Sequence, residues 1–486
     1  MPLLDGDGWQ GKIYSGGWID GSGAAYDVVS PSTGETLGRS GRATPDDVHK
    51  AAARAADAQR AWAALPYVER AAVLRRAGDL WNSSAEEIGG WLMRETGAIG
   101  PFGGFQVMTS AEECYEAAAL ASAPYGELLR SALPRLSMAR RIPVGVVGVI
   151  APFNVPTILS IRAVAPALAL GNAVLLKPDP RTAVSGGAVL AAIFEQAGLP
   201  EGLLHVLPGG ADVGEALVTE PAVRVVSFTG STKAGRAVAT LAAQHLKRVH
   251  LELGGNSALL VLDDVDPDAA SSVGAWGSFA HQGQVCMTAG RHLVQSGIAD
   301  AYVSALVARA DRLPVGDPAS GQVALGPIID AGQRDKIHSL VTRSVDAGAR
   351  LASGGTYEGL FYRPTVLADV PVTAPAYSEE VFGPVAPVVR FDTVDDVVKL
   401  AADTAYGLSL GILTNDVMRG LEIAERIPTG LVHINDQTVN DEATIPFGGV
   451  KDSGTGARHG GAQANLDAFT DTQWVTIRGT LPQYPM

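Results

Sequence analysis

Cysteine is scarce: Cys114 and Cys286 are the only two in 486 residues. A disulfide framework and a cysteine-based zinc site are both excluded, and a reducing cytosol is the compartment that fits. Positive charge is short as well. Against 51 Asp and Glu stand 37 Lys and Arg, and the net charge of −14 repels phosphate backbones and anionic membranes. Nucleic acid and membrane surfaces are therefore not expected partners. Long apolar runs are missing too: the stretches 142–152 and 163–176 are interrupted by Pro143, Pro166, Gly171 and Asn172 and are too short to span a bilayer. The N-terminal segment carries Asp5 and Asp7 where a signal peptide carries bases. No internal repeat or low-complexity linker is present. A soluble, cytoplasmic protein is expected.

What is present is a globular composition, 47% hydrophobic and 18% charged. At about 100–200 residues per domain, the length allows two to four domains. The first forty residues read as short strands and turns. Thr44-Pro45-Asp46-Asp47 then offers an N-cap, a first-turn proline and early acids for a helix over 48–65. Further helices are predicted over 69–96 and 107–121, and this opening region reads as scaffold. From Pro143 short β-rich runs alternate with Ala-rich helices, the strands being predicted at 144–150, 173–177, 203–207 and 223–228. That is the pattern of βαβ units and a parallel sheet. A strand at 257–262, a helix at 269–279 and a second α/β region to about Ile434 follow. The alternation in 472–478 predicts an edge strand whose apolar residues need a partner, for which pairing across a subunit interface is expected.

Five segments contain residue types that chemistry requires. Val225 to Gly235 is a strand, a Gly turn and a helix start, where exposed amides and the positive helix end suit a pyrophosphate. It is neither a G-x-G-x-x-G fingerprint nor a P-loop, and an ordinary βα turn is the alternative. Lys177, in Lys177-Pro178-Asp179-Pro180-Arg181, leaves an apolar strand at the end where parallel sheets bind ligands. Cys286, in His281-Gln282-Gly283-Gln284-Val285-Cys286-Met287-Thr288, sits in a polar segment that suits an exposed thiol, whereas Cys114 lies in a helical stretch and reads as a buried small hydrophobe. Glu252 is flanked by leucines and followed by Gly254-Gly255; it is either a surface residue of an alternating strand or a carboxylate whose pKa burial raises toward a general base's range. Asn154, held between Pro152 and Pro156, is a turn residue or a positioned donor to an oxyanion.

In this order the segments closely resemble the aldehyde dehydrogenase superfamily, from about residue 10 to the C-terminus. Pro152-Phe153-Asn154 is similar to the family's oxyanion segment, Lys177-Pro178 to its nucleotide lysine, and Phe228-Thr229-Gly230-Ser231 to its pyrophosphate turn. Leu251-Glu252-Leu253-Gly254-Gly255 resembles the general-base motif and Gly283-Gln284-Val285-Cys286 the nucleophile motif. Glu380-Val381-Phe382-Gly383-Pro384 resembles the cofactor-ribose motif, and Pro446-Phe447-Gly448-Gly449 the late substrate-side turn. The resemblance implies an α/β fold: a Rossmann-type cofactor domain (1–120 and 143–253), an α/β catalytic domain (254–452), and a small β oligomerisation arm (121–142 and 468–486) that builds a homodimer or homotetramer. It further implies that Cys286 is the nucleophile, Asn154 and the Cys286 amide hold the oxyanion, and Glu252 deprotonates the water that hydrolyses a thioester. Phe153, Lys177, Gly230, Ser231, Glu380 and Phe382 would contact the cofactor, with no metal required.

Two departures from the family pattern matter. Where strictly NAD-using members carry Glu three residues after the lysine, this chain has Pro180, with Arg181 beside it, so NAD is expected with NADP as a second candidate. No carboxylate occurs between Asp452 and Asp467, so the second, proton-relaying glutamate of some members has no counterpart, and Arg458 or its neighbour stands in that zone. The wording around Asn154, Lys177, Asn256 and Cys286 is similar to the benzaldehyde and vanillin dehydrogenase branch, which implies an aromatic aldehyde. Val155, Ile158, Leu159, Val285, Met287 and Phe447 would line an apolar tunnel. Arg162 would either face it and read a polar or anionic substituent or serve as a structural ion-pair partner. The alternatives are a semialdehyde or aliphatic aldehyde dehydrogenase and, from another class, a non-catalytic binding protein of the same fold.

Overall fold

The computed structural model describes every residue except Met1, Asp5, Asp7 and Met486. Its first sheet has seven strands in the order Arg248–Glu252, Val223–Thr229, Val146–Ile150, Ala173–Lys177, Leu204–Val206, Lys12–Ser15 and Trp18–Asp20, with the first five parallel. Helices cover both faces, so Ala173–Lys177 is buried at every residue and reads as a continuous apolar run ending in a lysine. From Val146–Ile150 the chain winds outward through Ala173–Lys177 to Leu204–Val206, then returns to the other side as Val223–Thr229. Between Val146–Ile150 and Val223–Thr229 the winding reverses. Such a switch point opens a crevice at the carboxyl ends of its strands, where ligands bind in open α/β sheets.

The second sheet, also of seven strands, runs Arg350–Ser353, Thr365–Ala368, Val385–Phe391, Ala289–Gln295, Ser257–Val261, Ser409–Leu413 and Leu431–Ile434, all parallel save the first pair. Only Leu253 to Asn256 separates its first strand in sequence from the last strand of the other sheet.

Several elements differ in their bounds from the sequence-based expectation. The helix after Thr44 runs Pro45–Ala64, with the Thr44 amide donating to the Asp47 carboxylate at 2.8 Å. The single helix expected over 69–96 is two, Tyr67–Ser83 and Ala85–Thr96, because the Asn82-Ser83-Ser84 run bonds its own backbone: Ser83 Oγ donates to the Leu80 carbonyl at the break. The next helix begins at Gly100 rather than Val107. Gly100, Gly103 and Gly104 lower its propensity, which is why the sequence pattern placed the start later. Cys114 is fully buried in that helix. The terminal strand, Thr470–Ile477, pairs on one side within the chain, antiparallel with Leu136–Pro143, which pairs in turn with Gly126–Leu129, and it forms the edge of that three-stranded sheet. Leu128, Trp474 and Ile477 remain exposed on this arm. Among the described residues no helix is long and apolar enough to cross a membrane.

Candidate active site

Asn154 follows directly from the strand Val146–Ile150, and Pro156 starts the next helix, so the loop between has little freedom. Its Nδ2 donates to the Gln284 carbonyl at 2.9 Å, and its own carbonyl accepts from His281 Nε2 at 2.8 Å. Burial lowers the His281 pKa to about 4, which leaves the ring neutral with its proton on Nε2. These two bonds fix Asn154 against the segment that carries Cys286. That segment turns sharply, with His281, Gln282 and Gly283 all left-handed at φ 49°, 57° and 64°. Two non-glycine residues there cost roughly 1–2 kcal/mol each, offset by Gln282 Nε2, which donates to the carbonyls of Gly97 and Pro327.

Cys286 opens onto a cavity of about 710 Å³. Six of the seven residues expected on its wall are there: Val155, Ile158, Leu159, Val285, Met287 and Phe447. Phe102, Phe105, Trp276 and Phe279 join them. These were legible, since each pair stands at i, i+3 on one helix face. Asp441 also lines the cavity and comes from a loop with no periodic signal. Arg162 is not on the wall: it is buried with Glu113 at 2.9 Å and Asp441 at 2.6 Å, its guanidinium 5.1 Å from the Phe447 ring. The ion-pair alternative holds, and the substrate-facing expectation is corrected, because two carboxylates take up the charge.

Burial pushes the Cys286 thiol up, reinforced by the negative charges of Glu380, Glu252 and Asp441, so the resting group is a protonated thiol. Glu252 ends the edge strand Arg248–Glu252 and is buried, with neither carboxylate oxygen hydrogen-bonded to a described residue. Burial raises its pKa well above the ordinary carboxylate range; the Arg458 and Arg162 charges and the Gly449 amide nearby offset only part of that. It borders a small void shared with Ser227, Arg162, His459, Leu159 and Phe447, the last two also lining the larger cavity.

The cofactor candidates gather at the switch point. Gly230 donates its amide to the Glu252 carbonyl at 3.0 Å, and Ser231 caps the helix Thr232–Gln244 by accepting from the Ala234 amide. Lys177 is buried, its Nζ 3.4 Å from the Pro178 carbonyl and without a carboxylate partner among the described residues, and burial lowers its pKa. Among the described residues Glu380 accepts a single bond, from the Gly255 amide at 2.9 Å, and burial pushes its pKa to about 7. Phe153 and Phe382 meet edge to face with centroids 6.0 Å apart. A buried ammonium and a buried carboxylate, each short of partners among the described residues, and a helix N-terminus at a strand's carboxyl end form a donor set that fits a dinucleotide with its hydroxyls and pyrophosphate. Arg181, by contrast, is held by Asp179 at 2.9 Å and Asp330 at 2.6 Å and lies 4.2 Å from the Phe153 ring. No cluster of three or more His, Cys, Asp or Glu that could hold a metal occurs among the described residues.

The aldehyde dehydrogenase family model matches residues 18–475. The chain belongs to the aldehyde dehydrogenase family. It is 64% identical to the vanillin dehydrogenase of Amycolatopsis over 485 residues, all of both chains, and 48% identical to the NAD⁺ benzaldehyde dehydrogenase of Pseudomonas putida, over 98% of each. Among solved structures, a salicylaldehyde dehydrogenase from Pseudomonas putida G7 in complex with salicylaldehyde superposes with a TM-score of 0.94 at 36% identity, covering 98% of this chain and 99% of that one. The betaine aldehyde dehydrogenase of Staphylococcus aureus in complex with NAD⁺ gives 0.95 at 28% identity, covering 99% and 97%. Membership makes this chain an oxidoreductase acting on aldehydes, close to the benzaldehyde and vanillin dehydrogenases, and the non-catalytic alternative falls.

Proposed function

We propose that this aldehyde dehydrogenase oxidises an aromatic aldehyde to its carboxylic acid, using NAD in preference to NADP. The observation that carries the substrate class is the ring-lined cavity at Cys286, where Phe102, Phe105, Trp276, Phe279 and Phe447 offer faces and edges to a flat substrate. The relatives named for vanillin, benzaldehyde and salicylaldehyde support it. The cofactor preference rests on Arg181, whose two carboxylate partners leave it no free charge for a 2′-phosphate. Lys177, Gly230, Ser231, Glu380, Phe153 and Phe382 are the residues that would hold the dinucleotide, which when bound supplies the hydride acceptor.

The chain's own groups account for the covalent chemistry. Cys286 Sγ gives its proton to water and bonds to the aldehyde carbon, and the oxygen of the resulting thiohemiacetal takes hydrogen bonds from Asn154 Nδ2 and the Cys286 amide. Loss of the C–H hydride leaves a thioester on Cys286. Glu252, deprotonated, takes a proton from water as that water attacks the thioester; the C–S bond then breaks, the departing sulfur takes the proton that Glu252 holds, the thiol is restored and the acid leaves. The raised pKa makes Glu252 a stronger base than an exposed carboxylate.

Initial rates with benzaldehyde, vanillin, succinic semialdehyde and hexanal test the substrate class: the aromatic pair should lead in kcat/KM, and a clear lead for the semialdehyde refutes the reading. We also assign self-association to the arm, at the exposed Leu128, Trp474 and Ile477, so Trp474→Glu should lower the oligomer mass measured by sedimentation.

A further inference from the structure

Asp441 stands on the wall of the substrate cavity, in the loop that also supplies Gln437, Val439 and Asn440. Its Oδ1 accepts from Arg162 Nη2 at 2.6 Å, and Arg162 Nε donates to Glu113 Oε1 at 2.9 Å. The side chains of Arg162, Glu113 and Asp441 are only 4%, 1% and 10% exposed, so the carboxylate is held in one place. Oδ2 receives no hydrogen bond from any described residue. The amides beside it are engaged with one another: Asn440 Nδ2 donates to Asp436 Oδ2 and the Gln437 carbonyl, and Gln437 Nε2 to the Val439 carbonyl and Asn440 Oδ1. A fixed carboxylate with open acceptor capacity on one oxygen therefore belongs to a residue that lines an aromatic cavity.

We propose that Asp441 reads a ring hydroxyl on the substrate, its Oδ2 accepting the O–H of a phenolic aldehyde. The inference rests on the aromatic reading above and deepens it. A neutral phenol donating to a fixed carboxylate makes a charge-assisted bond, and a site built around such a bond discriminates against an analogue that lacks the donor. The same negative charge repels a substrate ending in a carboxylate. Arg162, which on sequence was the candidate reader of an anionic substituent, instead orients Asp441 and is a positioning residue.

The test compares kcat/KM for benzaldehyde, the three hydroxybenzaldehyde isomers and their methoxy counterparts, which keep the ring and oxygen but cannot donate. In the wild-type enzyme one hydroxy isomer should exceed its methoxy counterpart on the order of 10- to 100-fold. Asp441→Ala should bring that ratio toward one, and Glu113→Gln, which leaves Asp441 and Arg162 paired, should keep it. Equal losses for hydroxy and methoxy substrates in Asp441→Ala, or a wild-type ratio near one for every isomer, overturn the role of Asp441 while leaving the aromatic reading intact. Poor turnover of every aromatic aldehyde beside rapid turnover of hexanal overturns both. The comparison within the wild-type enzyme stands even where the Ala variant fails to fold.

Discussion

Replacing Glu252 by Gln should separate the two halves of the reaction. The Gln side chain matches Glu in size and shape and keeps an oxygen for the nearby Gly449 amide, the one backbone donor beside the carboxylate among the described residues, so the packing is preserved. What is lost is the base. General-base assistance is typically worth 10²–10⁴-fold, or about 3–5 kcal/mol of barrier, and it should be lost from thioester hydrolysis. Hydride transfer precedes that step, so with NAD and benzaldehyde in stopped flow, NADH absorbance should rise in a burst approaching one equivalent per chain and then creep. Steady-state kcat should fall by the factor above. The pH profile carries a second signature: hydrolysis needs Glu252 deprotonated, so in the wild-type enzyme its rate rises with pH through a pKa held above the ordinary carboxylate range by burial, and this limb disappears in the variant. Absence of any burst would show that Glu252 is required to form the thioester, and an unchanged kcat would remove it from the chemistry.

Arg162→Met should destabilise the protein by about 3–5 kcal/mol in urea unfolding, because Glu113 and Asp441 would be left buried without their cation; a change within 1 kcal/mol of zero refutes that picture. Glu113 has its pKa raised to about 7 chiefly by burial, with the Arg162 charge opposing. Between its unfolded value and pH 7 the folded chain binds the extra proton, so this group's contribution to stability falls as pH rises through that window, by roughly 3 kcal/mol, and Glu113→Gln should flatten the stability profile there. The ratio of kcat/KM with NAD and NADP should favour NAD, and should narrow in Asp330→Asn, which frees one side of the Arg181 guanidinium; an unchanged ratio would exclude Arg181 from cofactor choice. Iodoacetamide followed by peptide mass spectrometry should modify Cys286, which opens onto the cavity, ahead of the fully buried Cys114, slowly at neutral pH because the Cys286 thiol is held protonated and faster as pH rises.

Much of the site was legible because its residues sit where a pattern breaks. Lys177 interrupts an apolar strand, Asn154 is pinned between two prolines, and Glu252 precedes two glycines, each an irregularity at a strand end. The parallel strands emerged from their continuous apolar runs, which burial on both faces demands. Long-range pairing was not legible. Arg162 meets Asp441 across most of the chain, and nothing near either residue names the other. The terminal strand announced that it needed a partner, but the choice between Leu136–Pro143 and another subunit is a matter of topology. The helix start at Gly100 was hidden by Gly100, Gly103 and Gly104, which lower the local helix propensity.

The connection between the two large sheets, Leu253 to Asn256, is also the general-base motif, and its glycines are threaded through the machinery. A Cβ on Gly254 would come within 2.4 Å of the Glu380 carboxylate, and one on Gly255 within 2.3 Å of the Cys286 carbonyl. The joint between the lobes is thus gripped by the nucleophile segment and by the carboxylate assigned to the cofactor. An engineer who wishes to re-angle the lobes, lengthen the joint or graft one lobe onto a foreign partner has no neutral hinge to cut. Modularity stops at this tether, and chimeras of this fold should keep residues 252–256 together with the Cys286 and Glu380 segments as one indivisible block.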